Sequence, residues 1–164
     1  PEELAVDRDT AEFRDDIGLL GERMTAVVDW VRSRGGTASL PLGLYGVSSG
    51  AAAALIAAAE RPADVRAIVS PGGRPDLAEE ALADVQAPTL LIVGGEDEEG
   101  IAVNEDAAER LRAPVRIALV PGASHLFEEP GALEEVAELA AMWFVGVFAG
   151  GRDLPLGDRA EARH

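Results

Sequence analysis

The stretch LGLYGVSSGAAAAL, residues 42–55, decides the fold. It opens as a short apolar run, passes through Gly46-Val47-Ser48-Ser49-Gly50 and ends in four alanines and a leucine. A strand over Leu40–Tyr45 followed at once by a helix from about Ser49 to Glu60, stopped by Pro62, accounts for that change of character. The spacing Gly46-x-Ser48-x-Gly50 fits a nucleophile elbow, a turn tight enough to hold Ser48 in a strained backbone and present its hydroxyl. A plain strand-to-helix turn uses the same residues. In an elbow the flanking glycines avoid collisions, and Ala51–Ala54 let the helix lie close to the sheet. Presenting Ser49 instead would put Val47 and Ala51 at the flanks, where a β-branched residue fits poorly, so Ser48 is preferred.

Upstream, Phe13, Ile17, Leu20, Met24, Val27 and Val31 step by four and three and predict one face of a long helix. Asp9 and Glu12 resemble its capping box, and Gly35-Gly36 its end. Downstream, Val65–Val69 reads as a strand broken by Pro71-Gly72-Gly73, and a short helix around Leu77 to Ala83 follows. Thr89–Val93 is an unbroken apolar strand of the kind buried on both faces. A helix with Ile101, Ala108 and Leu111 on one side leads to a strand over Val115–Val120. The last helix carries Leu133, Val136, Ala140, Trp143 and Val147 at helical spacing, with Pro130, Glu134 and Glu135 at its start.

Strands alternating with helices and no tight hairpin signals predict an α/β three-layer sandwich with a mostly parallel sheet. In such sheets the ligand site lies beyond the carboxyl ends of the strands. Ser48, Arg74, Asp97 and His125 each follow one of the four strands. Residues 1–149 are expected to form the domain and residues 150–164, rich in Gly, Arg and Asp, a flexible tail.

With 164 residues, 48% of them hydrophobic and 27% charged, the chain has the length and composition of one domain with a real core. It has no apolar run long enough to span a bilayer, and its acidic start lacks the features of a signal peptide, which predicts a cytoplasmic protein. The formal charge of −16 argues against nucleic-acid or membrane partners. The absence of cysteine excludes a thiol nucleophile and thiolate-bound zinc. The acidic loop Glu96–Glu99 lacks the ligand alternation of an EF-hand, and neither a metal nor a cofactor is expected.

A serine nucleophile needs a base. The chain has two histidines, and His164 ends a polar tail, leaving His125 in Val120-Pro121-Gly122-Ala123-Ser124-His125 as the candidate. Asp97, after Leu91-Ile92-Val93-Gly94-Gly95-Glu96, stands where an acid that orients the imidazole belongs, with Glu96, Glu98 and Glu99 as competitors. The order Ser48, Asp97, His125 is that of the α/β-hydrolases. Arg74 is a candidate anchor for a substrate carboxylate or phosphate, or else a partner for nearby acids. Phe127 is a candidate pocket wall or a loop aromatic packed on the last helix.

Gly46–Gly50, Thr89–Asp97 and Pro121–Gly131 together resemble the dienelactone-hydrolase-like branch of the α/β-hydrolases. The likeness is strongest to serine-nucleophile domains found alone or fused to phosphoribosyltransferase domains in bacteria, and it runs from Pro1 to about Phe148. It implies hydrolysis of a small ester, lactone or thioester through an acyl-Ser48 intermediate, with His125 as base and Asp97 as its orienting acid. Dienelactone hydrolases proper use a Cys nucleophile, so their substrate does not carry over. The family fold also implies strands before the first helix and a loop donating one oxyanion N–H. This sequence begins too late for that loop, and the N–H of Ser49 supplies the other donor. A lost donor costs about 10² to 10³ in rate. The resemblance therefore predicts a fragment, a homodimer or partner domain covering the edge of the Leu40–Tyr45 strand, or a weakened or inactive hydrolase-like interaction module.

Overall fold

A computed structural model of the chain describes Thr10, Phe13 and residues 16–150. Four parallel strands, β1 (Leu42–Tyr45), β2 (Val65–Pro71), β3 (Thr89–Gly94) and β4 (Val115–Val120), lie side by side in chain order. The register pairs Leu44 with Ile68, Val69 with Leu90, and Leu91 with Ile117. Parallel neighbours cannot be joined by a tight turn, so each connection crosses over the sheet. The crossovers are helix α2 (Ser49–Glu60), a 3₁₀ segment (Pro75–Asp84) and helix α3 (Glu98–Arg110). Right-handed crossovers that all step the same way fall on one face.

On that face α2, the 3₁₀ segment and α3 bury Leu55, Leu82 and Ala107 with Leu44, Val65 and Ile68 of the sheet. Helix α1 (Ile17–Arg32) stacks on α2. Helix α4 (Ala132–Phe148) covers the other face, where Val136, Leu139 and Trp143 meet Val69, Leu90, Ile92 and Val120. The expected three-layer α/β sandwich is the observed one. Every residue of β3 is buried, which is why its sequence is continuously apolar rather than alternating.

Several boundaries and faces differ from the sequence reading. Val27, expected on the buried face of α1, is exposed, and Gly21, Thr25 and Val28 are buried instead. The helix turns its small residues toward α2: a Cβ on Gly21 would stand 2.9 Å from Ile56 Cγ2, and Thr25 donates to Glu60. Leu133 is likewise exposed, and α4 buries Ala132 and Leu139. Leu40 does not join β1, because the Arg32 guanidinium takes the carbonyls of Ala38 and Leu40 at 2.9 and 2.8 Å and folds that segment into turns. β2 runs on to Pro71 and β3 to Gly94. The expected helix around Leu77–Ala83 is a 3₁₀ segment kinked at Glu79, where φ is 47°. Asp16 caps α1 through the N–H of Leu19, and the predicted box of Asp9 and Glu12 lies outside the described residues, as does the tail beyond residue 150.

No described helix is long and apolar enough to cross a membrane. Trp143 is completely buried between α4 and the sheet. Trp143→Ala, which removes a fully buried indole, should lower the free energy of urea-induced unfolding by about 3–5 kcal/mol.

Candidate active site

Ser48 sits between β1 and α2 with φ 52° and ψ −129°, a backbone conformation that costs a non-glycine residue about 1–3 kcal/mol. Surrounding hydrogen bonds hold it there. The Ser48 N–H donates to the Gly72 carbonyl at 3.1 Å, and the Arg74 N–H donates to the Ser48 carbonyl at 3.0 Å, which bridges the turn to Gly73 beyond β2. Gly46 is needed, because a Cβ there would drive into the Gly50 carbonyl. Gly50 is not: a Cβ on it would meet nothing within 4 Å, which corrects the expectation that both glycines clear space. A second necessary glycine is Gly73, whose Cβ would collide with Ser70 Oγ and come within 2.7 Å of the fully buried Ala51. The Ser48 hydroxyl makes no capping bond to α2. Ser49 opens the first turn of that helix.

Asp97 follows β3 as the N-cap of α3. Its Oδ1 accepts the Gly100 N–H at 2.9 Å, and its Oδ2 lies 2.7 Å from His125 Nδ1. Burial pushes this carboxyl up, but the Gly100 N–H and His125 together outweigh burial and hold it below the ordinary value. An ionised Asp97 accepts only, so Nδ1 carries the proton and the other ring nitrogen, Nε2, is left as a base. Among the four acids of the loop, Asp97 is the one that meets His125.

Three further residues shape this pair. A Cβ on Gly100 would run into the Asp97 carboxylate. Asn104 is fully buried one turn on, and its Nδ2 donates to Gly100 at 2.8 Å and to Gly73 at 3.3 Å, tying the acid's loop to the segment that braces Ser48. Glu129 accepts the Ser124 N–H at 3.0 Å, a bond that also lowers its pKa, so it braces the histidine loop. The Asp97-x-x-Gly100 spacing was a readable signal of a side-chain cap. Nothing in the sequence pointed to Asn104, whose partners are 31 and 4 residues away.

Ser48 and His125 line the same two cavities. One, of about 160 Å³, is walled by Tyr45, Val47, Leu126, Phe127, Leu133 and Val136. Phe127 is buried there with φ 54°, against Gly72. The other, of about 330 Å³, is bordered by Arg74, Asp97, Glu99 and Val103. Arg74 is engaged by Asp76 through two bonds of 2.9 and 2.7 Å, the pairing with nearby acid that its sequence left open. Among the described residues no hydrogen bond joins Ser48 to His125. Bonds of that kind commonly tighten only around substrate.

Residues 6–145 match the dienelactone hydrolase family. Two curated relatives from strains of Mycobacterium tuberculosis, both named as phosphoribosyl transferases, are 51% identical over 82% of this chain, which spans only 30% of their length. A solved dienelactone hydrolase from Anabaena variabilis is 54% identical, with a TM-score of 0.87 over 89% of this chain and 68% of its own. A dienelactone-hydrolase-like promiscuous phosphotriesterase from metagenomic libraries shares the fold at 17% identity, with a TM-score of 0.67 over 86% of this chain and 66% of its own.

Two consequences follow for Asp97. Its pKa is lower folded than unfolded, so the stability it contributes is complete above the ordinary value of 3.8 and is lost as pH falls through the lower folded value. Urea unfolding should therefore show a difference between the protein and Asp97→Asn that is level above about pH 5 and shrinks below it. Gly100→Ala tests the cap: in an ordinary helix the change stabilises by about 1 kcal/mol. Here the new methyl meets the carboxylate, and the thermal midpoint should fall instead of rising.

Proposed function

The chain belongs to the dienelactone hydrolase family, and on that premise we propose that it is a serine hydrolase cleaving a small ester, lactone or thioester. The observation that carries this reading is a serine held at φ 52° in the cavity lined by a histidine whose Nδ1 is 2.7 Å from a carboxylate. His125 Nε2 takes the proton of Ser48 as Oγ attacks the carbonyl carbon. The carbonyl π pair moves to oxygen, and the N–H of Ser49 stabilises the oxyanion. Collapse breaks the bond to the alcohol or thiol, which leaves with the proton from His125. Water then repeats the sequence on acyl-Ser48, giving up its proton to His125 and releasing the acid and the free serine. Asp97 keeps the imidazole in the required tautomer and stabilises its cation.

A fluorophosphonate probe should label the protein at Ser48, and Ser48→Ala should abolish labelling while circular dichroism is unchanged. An unlabelled, folded protein would sink the proposal. Asp97→Asn, which reverses the tautomer, should lower kcat by up to about 10⁴-fold.

A second reading is favoured by the outer edge of β1, which pairs only with β2 among the described residues. In it, a partner domain or a second copy covers that edge, a reading supported by relatives of which this chain spans only 30% of the length. Light scattering decides: a lasting monomer near 17.1 kDa at micromolar concentration argues against self-association.

A further inference from the structure

The two cavities that meet at Ser48 and His125 differ in chemistry, and the difference bears on the substrate. Tyr45, Val47, Leu126 and Leu133, all exposed by 49–64%, converge on the smaller one together with the buried Phe127 and Val136. Scattered apolar residues on a surface need no explanation, but a convergence beside a presented serine does. Among the described residues, no carboxylate and no guanidinium borders this chamber. Its volume of about 160 Å³ lies well below that of pockets for large ligands, which begin near 300 Å³.

Among the described residues bordering the larger chamber one carries a guanidinium, Arg74, and its charge is neutralised. Asp76 holds the guanidinium in a two-bond pair, and Glu99 adds a second negative charge beside it. With Asp97 also on this wall, the chamber presents more negative charge than positive. A substrate anion would have to displace Asp76 from Arg74 and enter the field of a chain carrying −16.

We propose that the site selects an uncharged ester with a short apolar acyl group, lodged in the chamber of Tyr45, Leu126, Phe127 and Leu133, and that the Arg74–Asp76 pair excludes anionic substrates. This rests on Ser48 being the nucleophile. The apolar walls reward methyl and methylene groups, whereas a terminal carboxylate there would lose its water without gaining a partner. Arg74 is thus a specificity determinant through its pairing, not an anion anchor.

The test compares p-nitrophenyl butyrate with mono-p-nitrophenyl succinate, in which a carboxylate replaces the terminal methyl. The kcat/KM for butyrate should exceed that for the succinate ester by at least about tenfold. Asp76→Asn, which weakens the hold on Arg74, should narrow the gap at least about threefold, and the gap should reopen in Asp76→Asn/Arg74→Ala. Leu133→Arg, at an exposed position, should shift preference toward the succinate ester by at least about tenfold. Equal or better cleavage of the succinate ester by the unaltered protein overturns the proposal, as does a gap indifferent to all of these changes. Labelling of Ser48 by an uncharged alkyl fluorophosphonate separates the two failures: a labelled enzyme with anionic preference refutes the specificity alone, and an unlabelled one removes the nucleophile beneath it.

Discussion

The Asp97 carboxylate is the point on which the rest of the site depends. One oxygen closes the first turn of α3 through the Gly100 N–H, and the other meets His125 Nδ1. A cap needs a fixed acceptor oxygen to satisfy an unpaired helix N–H, and an imidazole is held in one tautomer by an acceptor that is equally fixed and cannot itself donate. One group meets both needs, so the helix that positions the acid also keeps it charged. Burial opposes this and is outweighed. Gly100 and Asn104 belong to the same arrangement, the first by leaving room for the carboxylate and the second by tying its turn to the neighbouring loop.

Ser48 presents the complementary problem, because its backbone is unfavourable on its own. Two main-chain hydrogen bonds, to Gly72 and from Arg74, hold the strained residue against the end of β2. Each contributes about 1 kcal/mol net, similar to the strain they oppose. Ser48 borders both chambers, and its hydroxyl has no part in the helix cap. A turn that satisfied its own serine would have been less strained and chemically mute.

The parallel sheet puts these parts together. Strands in one direction end at one rim, so the loops after β1, β2, β3 and β4 bring Ser48, Arg74, Asp97 and His125 to the same side although 77 positions separate the first from the last. Gly94 and Gly72 make the convergence close: a side chain on either would press on the carbonyls of the loop carrying His125. The two chambers arise from the same crowding, one floored by apolar residues of the β1 turn and α4, the other by the polar start of α3.

Much of this was determined by the sequence alone. The identity and order of the elements follow from local periodicity. The burial of β3 follows from its uninterrupted apolar run, and the placement of chemistry after strands follows from parallel connectivity. These are properties of neighbouring residues and of chain direction. The tertiary structure alone decided that α1 turns Val28 inward and Val27 outward, that Arg74 is held by Asp76, that Asp97 and not Glu96, Glu98 or Glu99 meets the imidazole, and that Asn104 braces both loops. Each of those outcomes is a choice among partners brought near by folding. Helix rotation depends on the shape of the surface opposite, and a hydrogen bond depends on distances of a few tenths of an ångström. Neither quantity exists until distant segments are packed.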